Sequence, residues 1–429
     1  MSQISKEKFL NYLIILQNIV LLATPYILSK PSNYGRNVGA IVIIVLTLLY
    51  ILIGRKRLIF DKKLMILGLG YVLFTSLSFF KLGNNYNKEQ LNAYKGIITY
   101  LLVGFSITQI EIDDRVYKWT PILFSFFSSF PTLRALKEWH INGFSMNYRI
   151  FGDSWPSVFC MELGILVLAS IIVIFFEKSW YFKIMSFVLL GISFIAIIGV
   201  QARITILLIP SFFILTAVLK NYKLGITILV TLILGFFVII AVTDSEKYFK
   251  RFDSKDSDGS YSNLIRLEIY KRNIELIKSD GITGIGFFNL RNKNIKDDVR
   301  LLEYVDLEGF GFKKGIPGTK ENLKLWGYSA THSHNNILET LVTQGILGLI
   351  FYILFVIFIF KDLLVNFRNK IFTKYKAIFW LGILMFLYVF LDGMIDTNIY
   401  MIKVNQILFF VLGMCLNKKF QDKKIRNHE

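Results

Sequence analysis

The chain has 429 residues, 54% of them hydrophobic and 16% aromatic, with 40 Phe and a mean hydropathy of +0.53. Repeated apolar runs of 18 or more residues account for these values, and they exclude both a disordered chain and an ordinary soluble domain. The net charge of +19 would suit a nucleic-acid binder; the basic residues, however, cluster in short segments between apolar runs, where they act as topology signals.

Taken in order, the apolar runs predict about twelve spans, near 8–29, 37–54, 64–80, 92–110, 118–136, 157–176, 181–200, 203–219, 224–242, 336–360, 375–395 and 398–416. The first follows Lys6 and Lys8 as a signal peptide would. Its length, and the lack of a small-x-small cleavage site before Lys30, favour a retained helix. Basic clusters at Arg55, Lys56, Arg57, Lys62 and Lys63, at Lys361, Arg368, Lys370, Lys374 and Lys376, and at Lys418, Lys419, Lys423, Lys424 and Arg426 all fall inside if both termini are cytoplasmic. The expected fold is an all-α integral membrane protein with one large extracytoplasmic loop. Residues 1–242 hold nine transmembrane helices, 243–335 the loop, and 336–429 three more helices and a basic cytoplasmic tail. A shorter outer loop runs from about Leu136 to Pro156. Within the large loop, Ser262–Ser279 reads as a helix. Ser262 is placed to cap its start, Ile265, Ile269 and Leu276 lie near one face, and Gly281 follows its end. Cys160 and Cys415 lie in apolar runs and provide neither a disulfide framework nor a zinc set.

The segment Ser333-His334-Asn335-Asn336 turns from a polar loop into an apolar run that continues through Phe360. Counted as a helix from His334, ~100° per residue returns Gly345 to within about 20° of the histidine. His334, Leu338, Leu341, Gly345 and Gly348 then share one face, and the two glycines would admit a neighbouring helix. A lone histidine beside an apolar helix is ordinarily structural. One at a helix start, facing the outer loop beside Asn335, is placed as a general base, and an imidazole titrating near ~6.5 accepts a proton at neutral pH without special tuning.

Three arginines are expected on the same side: Arg203 opening the eighth span, Arg266 on the loop helix, and Arg149 in the shorter loop. A boundary arginine usually snorkels to lipid headgroups. Three on one face suit a pyrophosphate held by guanidinium forks without a metal. Gly281-Ile282-Thr283-Gly284-Ile285-Gly286 looks like a phosphate loop, but it lacks the Lys-Ser/Thr of a P-loop and is expected to be a turn. Asp256-Ser257-Asp258-Gly259 hints at a calcium loop, yet Ser254 and Ile265 stand where acids are needed, and a solvated loop is expected. His332 neighbours His334, with no further histidine or cysteine to complete a ligand set.

His334-Asn335, nine residues, then Gly345-x-x-Gly348 resembles the signature of the O-antigen ligase and polymerase family (Wzy/WaaL-like membrane glycosyltransferases). Ala202-Arg203 resembles the family's Ser-Arg at a span start. Arg266 followed by Gly281–Phe287 resembles its Arg…Pro-Leu-x-Gly-x-Gly pattern, and Arg149-Ile150-Phe151-Gly152 its Arg-x-x-Gly. The resemblance covers roughly 145–350; Ala202 and Gly281-Ile282 depart from the pattern and touch packing more than charge. It implies a GT-C-like fold and transfer of an undecaprenyl-pyrophosphate-linked oligosaccharide. His334 would activate the acceptor hydroxyl, Arg203 and Arg266 would hold the donor's pyrophosphate, and Arg149 would be a third contact. Asn335, Gly345 and Gly348 would be structural at the site.

The implied enzyme needs no cofactor and no metal. Its partners are a lipid-linked donor and acceptor, membrane lipids and, as a candidate, a chain-length regulator, with no nucleic acid. A Lys-, Ile-, Asn- and Phe-rich, Pro-poor chain hints at an AT-rich genome, many of whose owners are Gram-positive and lack a lipid A core. This favours a polymerase of capsule or O-antigen repeat units over a ligase. A flippase is the main non-enzyme alternative, but it would carry charges deep in its spans and paired halves of similar pattern.

Overall fold

The computed structural model describes residues 3–30, 33–54, 58, 61–145, 148–152, 155–227, 229–230, 258–305, 319–368 and 375–417. Among them the protein is helical, and eight helices are long and apolar enough to cross a membrane. In chain order the longer helices are α1 (Gln3–Ser29), α2 (Asn33–Gly54), α3 (Lys62–Phe80), α4 (Lys88–Gln109), α5 (Asp114–Phe127), α6 (Ser129–Ile141), α7 (Pro156–Phe176), α8 (Trp180–Val200) and α9 (Arg203–Lys220). After the residues not described come α10 (Asp258–Asp280), α11 (Leu290–Asp297), α12 (Lys320–Tyr328), α13 (Asn336–Arg368), α14 (Lys376–Gly393) and α15 (Ile402–Cys415).

Most expected spans coincide with these helices. The ninth, 224–242, lies mostly outside the described residues, as do Asp256 and the basic tail. The fourth corresponds to α4, which carries Lys88, Glu89 and Lys95 in its first turns and is not among the eight. The fifth, 118–136, is two helices that meet at Ser128. Pro131 lies just past this junction and has no N–H for the carbonyl of Phe127, so one helical hydrogen bond is missing there. The last span is the 14-residue α15.

The bundle is organised around α7. Apolar on every side and buried along almost its whole length, it packs against α5, α8, α9 and α14, the environment that an all-round hydrophobic helix requires. Side-chain hydroxyls lace the neighbours together where the apolar contact is interrupted. Ser125 on α5 bonds both Ser170 on α7 and Ser186 on α8, and Thr132 on α6 bonds Ser193 on α8. Such contacts hold helices where no water competes.

The loop helix α10 is present and longer than expected. It starts at Asp258, so Ser262 lies inside it and is not its cap. Ile269 and Leu276 are buried and Ile265 is partly buried, as their spacing predicts, and the helix ends before Gly281. They pack with Ile285, Leu290, Ala330 and Val342 in a small core that seats the loop on the start of α13.

Candidate active site

His334 lies in the connection between α12 and α13, two residues before α13 begins, in a left-handed conformation (φ 51°). For a non-glycine residue this conformation costs free energy and needs surrounding bonds to hold it. Asn335 supplies the first of them, capping α13 by accepting from the N–H groups of Ile337 and Leu338 at 2.9 and 3.0 Å. The same residue ties the helix start to the α14–α15 connection. Its own N–H donates to Thr397 Oγ1 at 3.0 Å and its side-chain amide to the Met394 carbonyl at 2.8 Å. Asn336 and Asn398 complete the stitch: Asn336 Nδ2 donates to Asn398 Oδ1 at 2.6 Å, and Asn398 N donates to Asn336 Oδ1 at 2.9 Å. Gly393 is required here, because a Cβ would lie 2.2 Å from Asn336 Nδ2.

This stitching delivers a residue that the sequence motifs leave out. Asp396 Oδ1 lies 2.8 Å from His334 Nδ1 and 3.4 Å from His332 Nε2. His332 in turn pairs with Thr331 Oγ1 through Nδ1 at 2.7 Å. Burial lowers the His334 pKa, the neighbouring imidazole lowers it further, and Asp396 opposes both. For Asp396, burial alone would raise the pKa; hydrogen bonds and charge from the two histidines outweigh it and hold the carboxyl well below the usual carboxylate range. A carboxylate beside a neutral imidazole satisfies both tendencies. His334 Nδ1–H then donates to Asp396 and Nε2 keeps its lone pair, the tautomer a base requires. Asp396 stands 62 residues beyond His334; its only sequence signal is Asp392-Gly393-Met394-Ile395-Asp396, a pair of acids between two apolar runs.

His332, His334 and Asp396 each present a ligand atom within 4.8 Å of the others. Two imidazoles and a carboxylate suit a transition metal, so the third donor that the local sequence lacks comes from a distant carboxylate rather than a histidine or cysteine.

Arg266 lies on α10, one turn before Tyr270, whose hydroxyl reaches the His334 carbonyl at 3.4 Å. Its charge acts on His334, on Tyr270 and on Asp392. Arg149 and Arg203 belong to a second grouping. Arg149 Nε donates to the Val200 carbonyl at 3.0 Å, at the α8–α9 turn that Gln201 makes with φ 60°, and Arg203 is exposed at the start of α9. Glu138 clamps this short loop by accepting from Phe151 N and Gly152 N, both at 2.8 Å. The α9 start is joined to α14 through Thr205 and Tyr388 at 2.9 Å, one turn below Asp392. Arg149 and Arg203 therefore share one turn, whereas Arg266 shares the surroundings of His334.

Gly345 plays a different part from the one its helical spacing suggests. It interrupts α13 with φ 76°, so no continuous face runs from His334 to Gly348. Ile346 N donates to the Gly281 carbonyl at 2.9 Å instead of to Val342, and the carbonyls of Val342 and Thr343 accept from Ile285 N at 2.8 Å and Gly286 N at 3.2 Å. The stretch 281–286 is the turn expected of it, and its backbone groups are spent on α13 rather than left to cradle a phosphate. A Cβ at Gly345 would lie 2.3 Å from the Ile282 carbonyl oxygen, and one at Gly284 would lie 2.4 Å from that of Thr343. Gly348 does face a neighbouring helix, with Phe74 of α3 beside it.

No curated protein matches the chain. The family model described as O-antigen ligase matches residues 188–353, a segment that holds Arg203, Arg266, His334, Asn335, Gly345 and Gly348 and leaves out Arg149 and Asp396. Through that segment this multi-pass membrane protein is similar to the O-antigen ligase/polymerase family, whose membrane glycosyltransferases act on lipid-linked glycans.

Proposed function

We propose that the protein is a polymerase of undecaprenyl-pyrophosphate-linked oligosaccharide repeat units, working at the outer face of the cytoplasmic membrane with both termini inside. The observation that carries the reading is the bond from His334 Nδ1 to Asp396, which leaves Nε2 as a proton acceptor beside a loop arginine. The acceptor sugar hydroxyl passes its proton to His334 Nε2 as its oxygen bonds the donor's anomeric carbon. The bond from that carbon to the diphosphate breaks, and the electron pair leaves with the lipid diphosphate. Arg266, with Arg203 and Arg149 as further contacts, neutralises the charge that develops on the leaving group. Asn335, Gly345 and Gly348 hold the base in register. A proton acceptor, cations and an activated donor suffice for this transfer, so the protein is expected to work without a metal.

The description of the matching family favours one second reading, in which the same chemistry moves the glycan to a different acceptor as a ligase would. The deciding experiment incubates purified protein with lipid-linked repeat units and resolves the products on a gel. A ladder that His334→Ala abolishes supports polymerisation, and a single capped species supports ligation. No covalent product, with repeat units crossing the bilayer instead, would make the protein a transporter. Activity is expected to survive excess EDTA; loss restored by zinc would turn His332, His334 and Asp396 into a metal centre.

A further inference from the structure

Two of the chain's four histidines, His332 and His334, face one carboxylate, and the proposed transfer gives His332 no step. Their ring centroids are 4.5 Å apart and the planes are turned 52° from one another. Lys403 of α15 and Glu162 of α7 also pair, at 2.6 Å, but sealed from solvent; His332, His334 and Asp396 are 25%, 26% and 13% exposed and can be reached by an ion. Asp396 Oδ1 lies 3.4 Å from His332 Nε2 and 2.8 Å from His334 Nδ1. Around a tetrahedral zinc, with bonds of about 2.0–2.2 Å, neighbouring ligand atoms stand roughly 3.3 Å apart. The first pair already has that spacing. The second is shorter because a proton lies between its atoms, and a metal in the proton's place would open it by about 0.5 Å.

The partners that orient such ligands are also present. Thr331 Oγ1 pairs with His332 Nδ1 at 2.7 Å; with Nδ1–H donated to that hydroxyl, Nε2 turns its lone pair toward the carboxylate. Two lone-pair atoms facing each other repel, and a cation held by both reverses the sign. Thr397 N donates to Asp396 Oδ1 at 2.9 Å, so that oxygen keeps a backbone bond when the His334 proton leaves.

We infer that His332 Nε2, His334 Nδ1 and Asp396 Oδ1 bind a divalent transition metal such as zinc, with one position left to water, and that the bound metal switches the transferase off. The inference rests on His334 being the base of the proposed transfer. A neutral imidazole has two nitrogens and one proton. Metal on Nδ1 sends that proton to Nε2, the atom that must accept from the sugar hydroxyl, so a metallated His334 is no base. One carboxylate also leaves a positive charge on the loaded site, beside Arg266, whose charge acts on His334. Three protein ligands and that neighbour make the metal exchangeable, as suits an inhibitor; a structural zinc has four.

The test sets zinc inhibition beside zinc binding. Purified full-length protein, freed of any affinity tag and stripped with EDTA, is assayed on lipid-linked repeat units at free zinc fixed by a metal buffer. Saturating zinc is expected to cut the wild-type rate roughly 10²-fold or more, the order a positioned base contributes, and excess EDTA to restore it. In His332→Gln, read against its own zinc-free rate, inhibition should need at least about 10-fold more zinc. Equilibrium dialysis is the second readout. The wild type should bind one equivalent, and His332→Gln and Asp396→Asn none at the same free zinc, with a cooperative thermal transition showing that each variant is folded. Equal inhibition of wild type and His332→Gln, with no His332-dependent equivalent, places the zinc on the substrate's diphosphate and overturns the site while leaving the proposed reaction intact. A rate raised by zinc overturns the inhibition and makes the centre catalytic. A His332-dependent equivalent in a protein that transfers no sugar overturns the proposed reaction and the inhibition with it, and the metal site alone stands.

Discussion

The two charged clusters at the loop end of the bundle are built in opposite ways. His334 and Asp396 are partly open, with side-chain exposures of 26% and 13%, whereas Lys403 and Glu162 are nearly sealed. The first is made of groups that exchange protons around an imidazole, and it needs access for a hydroxyl to approach. The second is made of permanently charged or ion-paired groups that bind charge and pass on no proton. The cluster that holds the titrating imidazole is also the more open of the two.

This contrast breaks most severely at His334. His334→Ala is expected to cut transfer by roughly 10³-fold or more, the order a positioned base contributes, while undecaprenyl diphosphate still binds as it does to the wild type by native mass spectrometry. Unchanged binding with full turnover would remove the base from the mechanism. Asp396→Asn comes next, at about 10²-fold, because an amide can present its N–H to Nδ1 and turn the imidazole into the wrong tautomer. It also has a signature in pH. Since burial holds the His334 pKa below its usual value and Asp396 opposes that shift, the acid limb of the rate should lie below about pH 6.5 and move lower still in Asp396→Asn. A limb unmoved by Asp396→Asn would leave the carboxylate a purely structural role.

Arg266→Lys should lose nearly as much activity as Arg266→Ala, about 10-fold or more, because an ammonium cannot fork two phosphate oxygens. Full activity in the lysine variant would leave only its charge at work. The smallest expected effect is on stability. Gly345→Ala places a side chain at φ 76° against the Ile282 carbonyl and should cost about 1–3 kcal/mol, visible as a lowered thermal midpoint in detergent. An unchanged midpoint would mean that the 281–286 turn does not depend on the break in α13.

How much of this was legible beforehand depends on the range of the interaction. The apolar runs located the helices α1–α3, α7–α9, α13 and α14 well, since span length is a local property. Ile269 and Leu276 likewise marked the buried face of α10. Helical periodicity misled where a distant segment intervened: Gly345 keeps the right spacing from His334, but the turn at 281–286 takes over the backbone bonds that would have continued the helix. Pro131 was a visible breaker inside the expected fifth span, where hydropathy outweighed it. Asp396 was visible only as an acid at a span end, and nothing near it in the chain points to a histidine 62 residues earlier.

Sequence alone determined that this chain crosses a membrane many times, that its charges gather at the helix ends, and that a histidine precedes a long apolar helix. Each of these follows from the cost of placing polar groups in hydrocarbon, which is paid residue by residue. Tertiary structure alone decided that His334 meets Asp396, that the glycine turn opens α13, and that Glu162 meets Lys403. Those pairings are set by which helices pack against α7 and by how the 394–401 connection is stitched to the start of α13, and such packing joins residues that no local pattern relates.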